Sequence, residues 1–462
     1  MTLSPSLVRD FQKLLGRENV FTEREDLLSY AFDGAVLPPR APSIVLMPPS
    51  VELLGEALRR AYEGGLALTA RGAGTNLSGA TIPEPGDSAV ILTGKLNRIL
   101  EINQNDLYAV CEPGVVTADL FRKAAETGLF YPPDPGSMEV STLGGNVALN
   151  AGGLRGLKYG VTKDYLMGLE FFDWRGRLIK SGSRTVKCVS GYNLPGLMTA
   201  SEGTLGVFSR LILKLLPAPS RTLSMTAVYN NVAEAAESVA GIIAGRVLPA
   251  TLEFMDQKCL KAVEAASKIG LPTEAAAMLL IEVDGFYDEQ VRGDAEKIRL
   301  ICRKNGALAV DLPESQTERD RIWEARRGTL PALARLRPSV VLEDATVPRS
   351  RVPEMLEAVG RLALKHRLEV GTFGHAGDGN LHPTILCDRR DPKEFKRVEE
   401  MVDGIFEAAL KLDGTLSGEH GIGVAKAKWM EKETNRATIE FSLALRGALD
   451  PSGLFNFGKK VV

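Results

Sequence analysis

Apolar positions along this chain recur first at helical spacing and then in short runs that suit strands. After a short amphipathic N-terminal helix, SIVLMP (43–48) predicts a strand and LALTA (66–70) a second. Between them SVELLGEALRRAYEGG places Val51, Leu54, Leu58 and Tyr62 on one helical face. That order is a βαβ unit. AVILTG (89–94) predicts a further strand. RILEINQNDLYAVCEP (98–113) predicts a hairpin turning at Asn103 to Asp106, and TADLFRKAAETG a helix that stops at Gly128.

From Asp134 to Gly160 the periodicity lapses into a long, glycine-rich stretch, predicted to be irregular. A loop of that length in a compact domain is usually functional. The hairpin around DWRGR (173–177) and the strand LGVFSRLILKLLP (205–217) close a first domain, with a boundary at PAPS (217–220). Beyond it, LSMTAVYN, AMLLIEVDG, ALAVDL and SVVLEDATVP alternate with helical segments, the pattern of a sheet covered by helices. The end is helical through FKRVEEMVDGIFEAALKL and IEFSLALRGAL, and closes on DPSGLFNFGK. The expected division is therefore 1–219 and 220–462, because a single core stops growing at roughly 250 to 300 residues.

Charge narrows the class of partner. A formal net charge of -2 with both signs interspersed excludes a broad basic field for nucleic acid and a polybasic membrane patch. The N-terminus is charged where a secretory signal needs an apolar core, and the longest apolar run is too short to span a bilayer, so a cytoplasmic protein is expected. The five cysteines, Cys111, Cys188, Cys259, Cys302 and Cys387, form no C-x-x-C pair. That argues against a disulfide framework or an iron-sulfur cluster, and buried reduced thiols are expected.

Three glycine clusters carry candidate chemistry. In LTARGAGTNLSGATIP (68–83) the glycines at 72, 74 and 79 follow a strand, and freed N–H groups there can form an anion nest, with Thr75, Asn76 and Ser78 as further donors. A Walker A loop is excluded because Ala80 and Thr81, then Pro83, follow Gly79. A dinucleotide fingerprint is excluded because Leu77 stands at its third glycine. A plain tight turn is the alternative. The second cluster, PPDPGSMEVSTLGGNVALNAGGLRGLKYG (132–160), suits a large flat ligand lying against backbone; the third is SEGTLGVFSR (201–210).

GTFGHAGDGNLHPTIL (371–386) holds two of the four histidines. If Val370 to Gly374 and Leu381 to Leu386 are the arms of a hairpin, His375 and His382 come close enough to share one metal ion. GTLSGEHGIGVAKAKW (414–429) adds Glu419 and His420 between glycines. Two imidazoles and a carboxylate leave coordination positions open for a substrate. Each histidine by itself would more often be a satisfied core residue, which is the assignment given to His366 on its helix.

Arg71 to Gly79, Pro135 to Gly160 and Glu202 to Val207 resemble, in order and spacing, the three FAD-contacting segments of FAD-linked oxidases of the vanillyl-alcohol oxidase type. GHAGDGNLH and SGEHGIG resemble the paired signatures of their D-2-hydroxy-acid dehydrogenase branch, and the similarity spans nearly the full chain. The resemblance implies an α+β fold: a two-subdomain FAD-binding domain, then an α/β cap domain with an antiparallel sheet and a helical C-terminal segment that returns to the FAD domain. It implies that Arg71, Gly72, Ala73, Gly74, Thr75, Asn76, Ser78 and Gly79 hold the FAD pyrophosphate. Pro135, Gly136, Ser137, Thr142, Gly144, Gly145, Asn146, Asn150, Gly152, Gly153 and Gly160 would run along the flavin and ribityl chain, with Glu202, Gly206, Val207 and Asn456 completing the cofactor site. No histidine falls in the first loop, so FAD is expected to be non-covalent.

The same resemblance implies that His375, His382 and Glu419 bind a divalent metal, zinc with iron or manganese as alternatives, and that His420 is the base. The substrate implied is a small D-2-hydroxy acid, oxidised to the 2-oxo acid by hydride transfer to flavin N5. In IWEARRGTLPALARLRP (322–338), Arg326 matches the arginine of a W-x-x-R element that binds the substrate carboxylate; a solvated helix charge is the alternative. Members that take a dicarboxylate tend to carry a lysine where this chain has Leu342, two residues before Asp344, which favours lactate or glycolate over 2-hydroxyglutarate. Without a cysteine cluster, nicotinamide fingerprint or membrane anchor, reoxidation implies a partner: an iron-sulfur subunit, an electron-transfer flavoprotein or a quinone-linked complex, through which the protein could sit at a membrane. The competing functions are a non-redox FAD enzyme on the same scaffold, a metal-dependent hydrolase with a regulatory anion site, and a non-catalytic electron-transfer subunit.

Overall fold

A computed structural model describes residues 3–84, 86–313 and 315–461. The chain forms two compact units, Met1–Gly152 with Val161–Ala218 and Glu419–Val462, and Gly153–Gly160 with Pro219–Gly418. The sequence predicts a break near residue 219 and a C-terminal segment that returns to the first domain; chain contacts assign Gly153–Gly160 to the second unit and Glu419–Val462 to the first. The side chains explain both assignments. Leu154 and Leu157 enter the cores of the second unit, and Tyr159 Oη donates to Asp284 at 2.7 Å. Phe455, fully buried, bridges in parallel to Leu68 of the first unit.

The first unit contains two main sheets. In the four-stranded one, Ile44–Leu46 and Ala67–Arg71 both pair parallel with Ser88–Leu92, so the third strand of the chain segment inserts between the two that the helix Val51–Glu63 connects. That helix starts where Ser50 accepts the Leu53 N–H, and its apolar stripe, Leu54, Leu58 and Tyr62, packs with Phe11, Ile44 and Leu68 in one core. The five-stranded sheet is antiparallel. It holds the predicted hairpin, Ile99–Asn103 with Tyr108–Cys111, beside Val207–Lys214, Leu166–Phe172 and Leu178–Gly182.

The stretch 134–160 departs from the irregular loop expected. It contains the helices Leu143–Leu149 and Gly156–Tyr159, the first capped by the Thr142 hydroxyl accepting the Gly145 N–H at 3.2 Å. Glycines at 144 and 145 hid this helix, since glycine disfavours a helix interior by about 1 kcal/mol. Here it is a requirement of packing: a Cβ on Gly144 would stand 2.6 Å from the Cβ of Pro113.

The second unit is one antiparallel sheet of eight strands. Along Ala277–Gly285, Leu279, Ile281 and Val283 face one core and Met278 and Leu280 another, the period of two that a sheet covered on both faces requires. Against the first face pack the helices Val232–Ala244, Asp288–Lys304, Val352–His366 and Pro392–Lys411. Gln257–Ser267, Gln316–Arg327 and Thr329–Ala334 pack against the second. Each fully buried Leu, Ile or Val contributes about 1.5–3 kcal/mol. The same alternation on Thr251–Asp256 sends Leu252 and Phe254 to the first core and leaves Glu253 and Met255 on the opposite side.

Four of the five cysteines are buried as expected, and burial pushes the Cys111 thiol up to about 12; Cys188 is exposed. Among the described residues no helix is long and apolar enough to cross a membrane.

Candidate active site

In the first unit the chain leaves the Ala67–Arg71 strand straight into the glycine loop. Gly74 has φ +71°, open to glycine without strain. Two of the polar side chains predicted to face a ligand here, Arg71 and Asn76, are spent on the loop and its neighbours, whereas Ser78 Oγ is buried with no hydrogen-bond partner among the described residues. Arg71 Nη1 donates to the Phe32 carbonyl at 2.8 Å. Asn76 accepts the Ala80 N–H at 2.9 Å and donates to Thr81 Oγ1 at 2.8 Å, and the Asp33 carboxylate accepts from Thr81 N at 3.2 Å. Among the described residues, the backbone N–H groups from 72 to 77 meet no protein acceptor. The loop is thus a braced frame with its donors left over, which fits an anion such as a diphosphate. Asp33 and Phe32, which brace it, carry no local sequence signal.

Next to the loop, Gly72 lies against the Thr142 hydroxyl so closely that a Cβ would overlap it. The first and second glycine clusters therefore meet, as a common ligand requires. Thr142 caps its helix, Asn146 donates to Thr117 Oγ1 at 2.8 Å, and Asn150 accepts the Lys163 N–H at 2.9 Å. The predicted rim of polar side chains is therefore an internal scaffold, and a cofactor would be held here mainly by backbone and by close approach.

Asn456 joins the first loop to the third cluster: its Nδ2 donates to the carbonyls of Ala80 at 2.8 Å and Glu202 at 2.6 Å. Glu419 to Gly423 of the SGEHGIG turn belong to the same unit. The Ser78 carbonyl accepts the N–H groups of Val424 at 3.0 Å and Ala425 at 3.1 Å, and a Cβ on Gly152 would lie 2.7 Å from the Glu419 carboxylate.

In the second unit Glu369–His375 pairs with Asn380–Cys387, one residue longer at each end of the hairpin than predicted. The register sets Phe373 opposite His382 and His375 opposite Asn380. His375 and His382 are therefore diagonal neighbours on one face, both buried, with ring centroids 5.2 Å apart and planes at 89°. Their nearest ligand atoms, and those of His382 and Asp344, lie within 4.8 Å.

Glu253, which the sequence analysis did not single out, organises this face. It is fully buried, its Oε1 is 2.8 Å from His375 Nδ1, and its Oε2 forms an ion pair with Arg326. Burial alone would raise its carboxyl, but the charges of His375 and Arg326 outweigh that and hold it below the usual carboxylate range. Arg326 is no solvated helix charge: it is buried, lies 4.8 Å over the Phe373 ring, and has no protein acceptor for Nε among the described residues. Trp323 of the same W-x-x-R element donates to Ser224 Oγ at 3.1 Å. The Glu253 carboxylate on Nδ1 fixes the orientation of the His375 ring, the arrangement by which carboxylates orient metal-binding histidines. His366 lies away from this face at a helix end, 3.6 Å from Glu400.

Residues 218–460 match the family model for FAD linked oxidases, C-terminal domain, and residues 42–182 that for the FAD binding domain. The chain belongs to the FAD-linked oxidases. This FAD-linked oxidase is 45% identical to the glycolate oxidase subunit GlcD of Bacillus subtilis (strain 168), over 96% of this chain and 94% of the relative. It is 31% identical to a D-lactate dehydrogenase of Anaerostipes hadrus, over 99% and 97%. The structure of 4-ethylphenol oxidase from Gulosibacter chungangensis superposes with a TM-score of 0.81 at 18% identity, covering 99% of this chain and 97% of that one, a likeness of fold alone. The α+β architecture is that of the vanillyl-alcohol oxidase type, and the protein is an FAD-dependent oxidoreductase.

Proposed function

We propose that this FAD-linked oxidase converts a small D-2-hydroxy acid, D-lactate or glycolate, to the 2-oxo acid. His375, His382 and Glu419 hold a divalent ion and His420 takes the hydroxyl proton. The observation that carries this reading is the buried, edge-on pair of His375 and His382 with Glu253 on Nδ1 of His375. The two imidazoles share one buried face of the hairpin and Glu253 orients the first of them, as carboxylates do for metal-binding histidines. The names of the relatives, a glycolate oxidase subunit and a D-lactate dehydrogenase, support the substrate class.

When bound, FAD supplies a two-electron acceptor at N5, and the ion, zinc or in its place iron or manganese, supplies a Lewis acid that acidifies an alcohol. The residues supply the rest. Glu253 fixes the His375 ring. It also neutralises Arg326, so the pair has no net charge to offer a substrate carboxylate, and a cation at the two histidines would restore one. Arg326 retains Nε for one carboxylate oxygen. His420 would hold the proton on its imidazole while the Cα–H bond breaks. Leu342 stands where relatives that take a dicarboxylate tend to carry a lysine, which favours a monocarboxylate. Electrons would pass to an iron-sulfur subunit, an electron-transfer flavoprotein or a quinone-linked complex, a role that fits the designation of one relative as a subunit.

An anaerobic titration of the yellow protein with D-lactate, L-lactate, glycolate and D-2-hydroxyglutarate tests the proposal. Bleaching of the flavin by glycolate or D-lactate and not by L-lactate is expected. Failure of all four to bleach it would leave a non-redox or electron-transfer role instead.

A further inference from the structure

The third glycine cluster contains an acid, Glu202, which sits where a carboxylate has little to offer an FAD diphosphate. It is buried and holds the left-handed conformation at φ 55°, which a non-glycine residue keeps only where its surroundings fix it. They do. Its N–H donates to the Ala148 carbonyl at 2.9 Å, at the end of the Leu143–Leu149 helix, and its own carbonyl accepts Asn456 Nδ2. Thus held, the side chain reaches the SGEHGIG turn: Oε1 accepts the Ile422 N–H at 2.9 Å and Oε2 the Gly423 N–H at 2.7 Å. Lys460 Nζ lies 3.4 Å from Oε1.

Two successive amides on the two oxygens of one buried carboxylate form a charge-assisted, bidentate clamp. The turn it grips has glycine at 421 with φ +87° and at 423 with φ +49°, so the backbone there has little rigidity of its own. The Ser78 carbonyl grips the next two amides. We propose that Glu202 is the positioning residue for His420: its carboxylate fixes the turn that begins one residue after the imidazole and so sets where that ring stands. This rests on the assignment of His420 as the base. The acid of SEGTLG then serves the proton-transfer group rather than the cofactor, and it links that group to the Leu143–Leu149 helix through one residue.

The test uses the FAD-loaded protein and the variants Glu202→Gln and His420→Ala, with D-lactate or glycolate, whichever reduces the wild type. A carboxamide keeps the volume but presents an NH2 to one of the two amides. Anaerobic stopped flow is expected to show flavin reduction in Glu202→Gln slowed about 10- to 100-fold at saturating substrate. Half-saturation should change less than about 3-fold, with flavin content and visible spectrum unchanged. Hydrogen exchange of a peptide spanning residues 417–426 should be faster in the variant. A Glu202→Gln protein that loses FAD, while its remaining holoenzyme reduces at the wild-type rate, would overturn the proposal and make Glu202 a cofactor residue. A slow His420→Ala beside a wild-type Glu202→Gln overturns the positioning role alone; a wild-type His420→Ala overturns both that role and the functional reading beneath it. Should the variant not fold, exchange in the wild-type holoprotein decides: slow exchange at Ile422 and Gly423 supports the clamp, and fast exchange overturns it.

Discussion

His375 Nδ1 and Glu253 Oε1 lie 2.8 Å apart in the interior of the second unit, across 122 positions of sequence, and the other oxygen of the same carboxylate pairs with Arg326. One acid therefore serves an imidazole and a guanidinium together, and removing it has two separable consequences. Glu253→Ala leaves a buried arginine uncompensated, so a loss of about 3–5 kcal/mol in unfolding free energy is expected. Glu253→Gln keeps the shape and is expected to lose less stability but about 10- to 100-fold in metal affinity, measured by chelator competition with zinc. Zinc affinity equal to wild type in the Gln variant would show that the carboxylate does not tune His375.

His375→Ala and His382→Ala each remove one of the two imidazoles while leaving the first unit untouched. Both variants should remain yellow. Neither should bleach with D-lactate or glycolate under anaerobic conditions, a fall of at least about 100-fold in reduction rate. Reduction at the wild-type rate in either variant would take the histidine pair out of the chemistry.

The sequence carried the sheet-and-helix order, the glycine clusters and the two histidines, because each rests on a local pattern. It did not carry Glu253. Its signal is an acid in a strand, set between Leu252 and Phe254, and its partners lie 73 and 122 residues away. An acid flanked by apolar residues in mid-strand was the available clue, since such groups are seldom buried unless paired. The order of the parallel strands was hidden for a similar reason: nothing local in Ser88–Leu92 says that it lies between Ile44–Leu46 and Ala67–Arg71. In the glycine clusters the residue types were informative but their roles were not. Asn76, Thr142 and Asn146 look like ligand donors in sequence and turn out to brace the backbone that a ligand would meet.

The contact between Gly72 and Thr142 gives a prediction about that brace. Gly72→Ala forces its Cβ into the Thr142 hydroxyl, and is expected to lower stability by about 1–3 kcal/mol and the FAD content of the purified protein with it. Thr142→Ala removes a helix cap, about 1 kcal/mol. Because the two changes share one contact, the double variant should be more stable than the sum of the single losses indicates, read from urea midpoints of all four proteins. Simple additivity would show that the two clusters do not touch.

Lys459 is buried in the first unit with Nζ donating to Asn456 Oδ1 at 2.6 Å and Glu84 3.9 Å away. Burial is the dominant influence, and it pulls the ammonium down from 10.5 to about 8 despite the nearby acids. A lysine whose folded pKa is depressed opposes folding below that pKa, where the ammonium must be desolvated. It ceases to do so as pH rises, because between about 8 and 10.5 the unfolded chain binds the proton that the folded chain has released. Unfolding free energy should therefore increase over that window, by on the order of 3 kcal/mol from this group alone. Lys459→Met supplies the comparison: its denaturation midpoints should exceed those of the wild type near pH 7, with the difference shrinking steadily toward pH 10.5. A difference that stays constant with pH would mean that the lysine keeps an ordinary pKa, and that Glu84 and Asn456 together offset its burial in full.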